Sequence, residues 1–316
     1  MVPVVSAEQT AEQANPAADD LIQPFLIERS GVRGRLLRLG SVVDELIRQA
    51  GHPAPVDTLM GEVVALGGVL ASTLKYDGVF TLQTSGDGPV RTLMMDATSE
   101  GALRAYAGLK EEELRARLAD NLDLEAPEVG AWLGKGHMAF TVDQGPNTER
   151  YQGIVELTGP RLADCLLHYF RQSEQVNAGI IVAAAKRDGV WRAGALLIQR
   201  VPDEGGESQE SVGEEDWRRA LVLAASCTVD ELLDPALPPN DLLFRLFHEE
   251  GVRVFEPRPL TKGCRCSRGK VENILASLPK SEIDALKEDG EVVMTCQFCN
   301  IDFRFDEKEL ERVFAE

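Results

Sequence analysis

The chain has 316 residues, of which 44% are hydrophobic and 6% aromatic, a composition that permits a sizeable core and one or two domains. Its formal net charge of −19 disfavours binding to a phosphate backbone, and no run of about 18 uninterrupted apolar residues predicts a membrane span. Residues 1–20 lack the basic start and apolar stretch of a secretory signal, so we expect a cytoplasmic protein with a disordered polar tail over these residues.

Residues 21–202 alternate between extended and helical patterns, which is typical of an α+β domain. The predicted elements are, in chain order, two strands around Ser30-Gly31 in 21–39, a helix capped by Ser41 and ending at Gly51, a long amphipathic helix over 55–75, a hairpin over 78–98, a strand over 101–107, a surface helix or loop over 109–123, a hairpin over 136–157, a helix over 161–175 and a hairpin over 178–202. We therefore expect a core domain of antiparallel sheets and helices over 21–202.

A linker is predicted over residues 203–258. Its first part, 203–216, is acidic and rich in glycine and serine, which is the composition of a mobile connection. The patterns of 217–234 and 240–250 predict two helices with apolar faces, separated by the sequence PALPPN. Such short helices are marginally stable away from a partner surface, so we expect a flexible, partly helical linker.

The closing segment, 259–316, predicts a small module. Ser267 and Ser281 are each placed to cap a helix, the sequence IDFRF alternates like a strand, and a helix closes the chain. With about 60 residues and few aromatic side chains, this segment cannot easily stabilise itself, and metal binding would supply the missing folding free energy.

Four of the six cysteines lie in this module, as a C-x-C and a C-x-x-C pair: Cys264, Cys266, Cys296 and Cys299. In a reducing compartment, clustered cysteines are more often metal ligands or redox-active thiols than permanent disulfides. Two turns that each offer two thiolates can complete a tetrahedral zinc site without any histidine. The sequence therefore predicts one Zn²⁺ ion per chain, with a purely structural zinc module as the plainer interpretation.

Three features favour a redox role over that plainer interpretation. The C-x-C pair is unusual for a zinc ribbon, and Arg265, Arg268 and Lys270 favour the thiolate form of the neighbouring sulfurs. The two cysteines of each pair are also close enough in sequence to oxidise internally. A disulfide is a poor thiolate ligand, so oxidation would remove the metal and unfold what the metal stabilises.

The remaining reactive residue types indicate no enzyme site. Cys165 and Cys227 sit on apolar helix faces and are expected to be buried structural thiols, and the four histidines lack spaced partners for a catalytic dyad. The order Ser72 to Lys75 lacks the motifs that accompany a catalytic Ser-x-x-Lys, and the GDGP sequence is a hairpin turn without a phosphate-binding lysine. We therefore expect a protein that is not an enzyme.

The segment LTKGCRCSRGKVENILASLPKSEIDALKEDGEVVMTCQFCNIDFRF resembles the zinc module of the redox-regulated heat-shock chaperones of the thirty-three-kilodalton chaperonin family. The sequences YDGVFTLQTSGDGPV, YFRQSEQ, GALLIQ and LFHEEGVRVFEP are also similar to family segments in the same order, so that the resemblance covers roughly residues 21–316. Ala193-Gly194 stands where many members show a glycine pair, a departure that leaves the thiols untouched.

The resemblance implies an ATP-independent holdase that is switched on by oxidation. In the reduced form the four cysteines would hold zinc and the protein would be an inactive monomer. Hypochlorite, or peroxide with mild heat, would form Cys264–Cys266 and Cys296–Cys299 disulfides, release the zinc and unfold the module with the segment of about 211–262. The partners implied are unfolding client proteins and, after oxidation, a second copy of the chain.

Two other functions compete with this interpretation. A thiol–disulfide oxidoreductase using the CQFC motif would need a βαβ context around the two cysteines, which the surrounding strand patterns do not offer. A nucleic-acid-binding zinc protein would need a basic module, whereas 271–316 carries far more Asp and Glu than Lys and Arg. We therefore expect binding to neither nucleic acid nor membrane.

Overall fold

The computed structural model describes residues 19–119, 127–145, 148, 150–200, 213–288 and 290–315. The strands are β1 (Leu21–Ile27), β2 (Val32–Leu39), β3 (Val79–Gly86), β4 (Val90–Thr98), β5 (Ala102–Leu109), β6 (Gly136–Asp143), β7 (Tyr151–Glu156), β8 (Ala178–Arg187), β9 (Val190–Gln199), β10 (Val252–Val254), β11 (Arg258–Pro259), β12 (Thr261–Lys262), β13 (Lys287–Glu288), β14 (Glu291–Thr295) and β15 (Asp302–Phe305).

The helices are α1 (Ser41–Ala50), α2 (Ala54–Ala71), α3 (Glu111–Ala119), α4 (Val129–Trp132), α5 (Leu162–Tyr169), α6 (Glu214–Ala225), α7 (Val229–Leu233), α8 (Pro239–Phe247), α9 (Arg268–Ala276), α10 (Lys280–Ala285) and α11 (Glu307–Ala315). A π-helical turn, Phe170–Glu174, extends α5, and a 3-10 turn, His248–Glu250, extends α8. This mixture of sheets and helices confirms the predicted α+β class.

Two large sheets form the body of the molecule. The first has the strand order β10-β1-β2-β9-β8, with β11 also paired to β1, and the second has the order β12-β5-β4-β3-β6-β7. A third, small sheet, β13-β14-β15, belongs to the C-terminal module. Pairing is antiparallel except between β12 and β5, where the start of the module joins the second sheet as a short parallel strand.

Helix α2 lies between the two large sheets. A Cβ atom at Gly67 would lie 2.3 Å from Sδ of Met95 in the second sheet, and one at Gly68 would lie 2.6 Å from Cδ1 of Leu37 in the first. The glycine pair therefore permits the close packing that its sequence suggested. This helix has the length and hydropathy of a membrane span, but 89% of it is buried, as in the core helix of a globular protein. The predicted amphipathic pattern is thus wrong, because both faces are covered.

Most predicted elements of the core are present, and the hairpin turn at Asp188 and Gly189 has the two positive φ angles, 51° and 82°, of a type I′ turn. Two of the three predicted serine caps are wrong. Ser41 is the first residue of α1, and the carboxylate of Asp20 instead accepts hydrogen bonds from the backbone N–H groups of Gly40 and Val42. Ser281 lies inside α10, whereas Ser267 caps α9 as predicted.

Helices α6, α7 and α8 cover the face of the first sheet that points away from α2. Trp217, Leu232 and Phe247 are among the helical side chains buried in this layer. The sheet contributes Phe25, Ile27, Val32, Leu36, Ala183, Leu196 and Ile198. The apolar faces predicted from the sequence of 217–250 are therefore packed on a partner surface.

Two predicted flexible segments fall largely outside the described residues: 1–18 of the tail and 203–212 of the acidic stretch. Next to the first of these, Asp19 forms ion pairs with Arg38 and Arg192, and Asp20 caps α1 as described above. Next to the second, helix α6 begins at Glu214.

Candidate metal centre

The first cysteine pair lies in a short connection between β12 and α9. Ser267 accepts a hydrogen bond from the backbone N–H of Lys270 and so fixes the start of α9 directly after Cys266. The Nζ atom of Lys270 donates to the carbonyl oxygen of Arg265 at 2.7 Å. These two bonds hold the C-x-C turn, which we call the first knuckle (264–266).

The second pair lies in the turn that joins β14 to β15, which we call the second knuckle (296–299). The backbone N–H of Asn300 donates to the carbonyl oxygen of Cys296 at 2.7 Å, and the N–H of Cys296 donates to Ile301 at 3.0 Å. Asn300 has a φ of 51°, in the left-handed region that asparagine tolerates. A hairpin turn is not the βαβ setting that a thiol–disulfide oxidoreductase would need.

The two knuckles bring all four cysteine sulfurs within 4.8 Å of one another. The shortest separations run between the knuckles, 3.3 Å from Cys266 to Cys299 and 3.7 Å from Cys264 to Cys296. Four thiolates at about 2.3 Å from a tetrahedral ion are about 3.8 Å apart, so the donor set fits a single metal ion. The sequence-predicted site residues therefore converge on one point, where they could bind such an ion.

The thiols influence one another's ionisation. Burial opposes ionisation of Cys264, but hydrogen bonds from the backbone N–H of Cys266 and from the other three thiols outweigh it and lower the pKa of Cys264 to about 7. Burial and these same thiol neighbours raise the pKa of Cys266. The two thiols of the first knuckle are therefore shifted in opposite directions, and Cys264 is the more readily ionised of the two.

The module has only a small apolar core of its own, made by Leu275, Ile283, Val292, Phe305 and Leu310. The guanidinium of Arg268 stacks over the ring of Phe305 at 4.3 Å from its centroid. Five buried side chains are few for a unit of this size, so a metal ion bound by the knuckles would contribute substantially to its folding.

The second knuckle contacts helix α1 of the core. The side-chain amide of Gln49 donates to the carbonyl oxygen of Cys299, and Asn300 Nδ2 donates to the carbonyl oxygen of Gln49 at 2.7 Å. Lys262, just before the first knuckle, forms an ion pair with Glu45 on the same helix. The module is therefore held on the core by polar contacts.

A buried carboxylate in the second sheet contacts the first knuckle. Asp96, 1% exposed, accepts a hydrogen bond from Thr81 and pairs with Arg104 of the core and with Arg265 of the knuckle, both at 2.6 Å. The guanidinium of Arg104 also lies 3.8 Å from the ring centroid of Phe298 in the second knuckle. The side chains of Asp96 and Arg104 thus contact both knuckles between them.

A cavity of about 340 Å³ opens beside the sulfurs of Cys266 and Cys296. Its cationic side chains are Arg104, Arg265 and Lys270, and the residues that line it include no acidic one. Apolar side chains from α9, β14 and β15 form its other wall.

The other two cysteines lie apart from the cluster, and both are buried as predicted. Burial raises the pKa of Cys165, and it raises that of Cys227 to about 11. Cys227 follows the end of α6 rather than lying on its face. Protonated, inaccessible thiols of this kind are poor nucleophiles and poor metal ligands.

Sequence reasoning did not identify Gln49, Asp96 and Arg104 as part of the site. Each lies far from the cysteines along the chain, and a single charged or polar residue on a helix or strand carries no signal of its partner. The only hint within the motif was an aromatic residue, Phe298, between two cysteines.

Comparisons of the sequence and of the fold with known proteins match the same family over most of the chain. The family model described as Hsp33 protein matches residues 20–306. The 33 kDa chaperonin of Caulobacter vibrioides is 36% identical over 295 residues, covering 91% of this chain and 95% of the relative. That of Azotobacter vinelandii is 37% identical over 302 residues, with coverage of 94% and 95%. The crystal structure of the 33 kDa chaperonin of Thermotoga maritima matches with a TM-score of 0.77 at 23% identity, over 94% of this chain and 98% of that one, which supports the fold.

Proposed function

This chain belongs to the Hsp33 family, and from that premise we propose that it is an ATP-independent holdase chaperone which oxidation activates. Its partners are unfolding client proteins, its compartment is the cytoplasm, and it passes from a reduced monomer to an oxidised homodimer. The observation that carries the proposal is the convergence of four thiols at the contact between the module and the core.

In the reduced state, Cys264, Cys266, Cys296 and Cys299 would hold one Zn²⁺ ion. All-cysteine tetrahedral coordination is typical of structural zinc, and the sulfur separations of 3.7 Å and 3.3 Å suit it. A bound ion would contribute folding free energy to the module, whose own core is small.

Oxidation acts on the cysteines themselves. Each pair of thiolates loses two electrons to the oxidant and forms one S–S bond, while hypochlorite is reduced to chloride or peroxide to water. We propose the pairing Cys264–Cys266 and Cys296–Cys299, as the family resemblance implies. The shortest reduced separations run between the knuckles instead, so this pairing requires the sulfurs to rearrange.

Once its sulfurs are oxidised, the module can no longer hold the metal and loses the free energy that the metal supplied. The linker then loses its neighbour, because β10 and β11, which pair with β1 at one side of the first sheet, connect α8 to the module. Release of α6, α7 and α8 uncovers the apolar face formed by β1, β2, β8 and β9. This apolar surface is suited to holding unfolded chains, and the net charge of −19 favours solubility of the complex.

This proposal divides the chain into a core domain (21–202), a linker (203–258) and a zinc-binding redox module (259–316). The separate apolar cluster of the module and the packing of the linker on the first sheet support the division. Residues 1–20 are proposed to be a tail, of which Asp19 and Asp20 contact the core.

The test is light scattering of a client enzyme during thermal unfolding, without nucleotide, with the protein either reduced and zinc-loaded or treated with hypochlorite. We expect only the oxidised protein to suppress aggregation. Equal suppression by both forms, or by neither, would contradict a redox switch. Mass spectrometry of the oxidised protein after digestion would identify the disulfide pairing directly.

A further inference from the structure

Building on the proposed redox switch, we propose that Asp96 and Arg104 are positioning residues which hold both knuckles on the second sheet while the thiols are reduced and release them on oxidation. Nothing in the cysteine motif itself assigns a role to either residue.

The two residues connect the core to both knuckles at once. One buried carboxylate, that of Asp96, binds a core cation and a knuckle cation, and Arg104 adds its stacking contact with Phe298. The aromatic contact is extended by Tyr106 on the same strand, whose ring centroid lies 6.0 Å from that of Phe298. Displacement of either knuckle therefore disturbs the same group of side chains.

Cations outnumber anions at this contact, in a chain whose overall charge is strongly negative. Arg104, Arg265 and Lys270 all line the cavity beside the sulfurs, and Asp96 is the carboxylate that pairs with two of them. Four thiolates around one divalent ion carry a net charge of about −2. The negative charge of the reduced, metal-bound site therefore offsets the positive charge of the cations that surround it.

Oxidation removes this balance, because two disulfides are neutral and hold no metal. Asp96, which pairs with two of the three cations, then remains without the negative charge of the thiolates beside it. Arg104 and Arg265 each lie 2.6 Å from the same oxygen of Asp96, well within a Debye length of about 10 Å of each other, so their repulsion is only partly screened. The contact between core and module thus changes from electrostatically favourable to unfavourable in the same step that removes the metal.

The test measures docking rather than chaperone activity. The backbone N–H groups of Thr261 and Gly263 donate to Gly101 and Leu103 of the core, at 3.0 Å and 2.9 Å, and exist only while the module is docked. Hydrogen exchange at these amides would be compared in the reduced, zinc-loaded full chain of wild type, R104Q, R104K and R91Q. Arg91 is an exposed residue on the neighbouring strand β4, so R91Q removes one positive charge without touching the contact.

We expect R104Q to lower protection of the two amides by about tenfold, R104K to retain most of it, and R91Q to match wild type. Protection in R104Q should also differ less between the reduced and oxidised states than it does in R91Q. Unchanged protection in R104Q would overturn the positioning role, and equal losses in R104K and R104Q would overturn the charge argument. If R104Q does not fold with one zinc per chain, R265Q tests the same contact from the more exposed side. Because no client is present, these outcomes are independent of whether the protein is a holdase.

Discussion

The rings of Phe25 and Phe247 stack with their centroids 5.5 Å apart and their planes inclined by 26°. Phe25 belongs to the first strand of the core and Phe247 to the last linker helix, and both are almost fully buried. This contact belongs to the surface that the proposed mechanism uncovers. The oxidant dose needed for activation should therefore depend on how firmly the linker is packed here as well as on the cysteines.

Replacing Phe247 by alanine should loosen the linker without touching the thiols. Loss of a buried phenyl ring costs about 3–5 kcal/mol, which is large compared with the stability of three short helices. We expect F247A to suppress client aggregation at lower oxidant doses than wild type, and protease cleavage within 214–250 to be faster in its reduced form.

The matched control is F244A. Phe244 lies on the same helix but is 58% exposed, so its removal should leave the linker packed and the oxidant dose unchanged. If F247A and F244A behave alike, packing on the first sheet does not restrain the linker.

The cysteine cluster was predictable from the sequence because all four ligands lie in two short turns with a characteristic spacing. The core elements were also predictable, since alternation and helical spacing persist over long segments. Helix α2 is an element whose environment the sequence did not predict. Its composition identifies a helix, but only the tertiary structure shows that sheets cover both of its faces.

The same limit applies to the contacts that hold the module. The cap of α1 comes from Asp20 rather than Ser41. The antiparallel pairing of β1 and β2 places the residue before β1 next to the helix that follows β2, so the carboxylate of Asp20 reaches the start of α1. Asp96 and Arg265 are 169 residues apart in the chain, and only the fold brings them together. Sequence spacing predicts ligands on one turn, whereas partners on different elements depend on the arrangement of the sheets.

Replacing Cys299 by serine should abolish stable metal binding. A serine hydroxyl stays protonated where a thiolate is needed, so we expect zinc affinity to fall by at least about 100-fold and the module to lose protection from proteolysis. Zinc content after gel filtration, measured by atomic absorption, checks this prediction. C165S is the control, because Cys165 is buried in the core away from the cluster and should leave one zinc per chain. A zinc-loaded C299S protein would remove Cys299 from the ligand set.

Arg38 is a second attachment point of the linker. It is 1% exposed, donates to the carbonyl oxygens of Asp234 and Leu237 in the linker, and lies 3.0 Å from Asp19. Removing one partner from a buried charged network costs about 3–5 kcal/mol, because the remaining polar groups lose their partner. We expect R38M to lower the free energy of unfolding by about that amount and to expose the linker to protease in the reduced state.

The comparison for this prediction is R33Q, at an exposed arginine on the same strand. Its free energy of unfolding should stay within about 0.5 kcal/mol of wild type. If R38M lowers the free energy of unfolding as little as R33Q does, the two linker carbonyl oxygens find other hydrogen-bond donors when Arg38 is absent.

Asp57 predicts a pH dependence of stability that is separate from the thiols. Burial at the start of α2 raises its pKa to about 7, although Lys186 acts in the opposite direction. Its Oδ1 atom has no hydrogen-bond partner among the described residues, and His52 Nδ1 lies 3.9 Å away. Because an unfolded aspartate has a pKa of about 3.9, the native state keeps this proton between about pH 4 and 7 after the unfolded chain has lost it. The favourable contribution of the neutral carboxyl is therefore complete below pH 4 and is lost as the pH rises to 7.

D57N keeps the neutral form at every pH, so its advantage over wild type should grow as the pH rises. We expect the difference in unfolding free energy to increase by about 2 kcal/mol between pH 5 and pH 8 and to stay constant above that. Denaturant titrations of both zinc-loaded proteins across this range would measure it, since metal binding contributes equally to each. D77N, at an exposed aspartate after the same helix, controls for the loss of one negative charge. A difference that is constant with pH would show that Asp57 is ionised in the folded protein throughout this range.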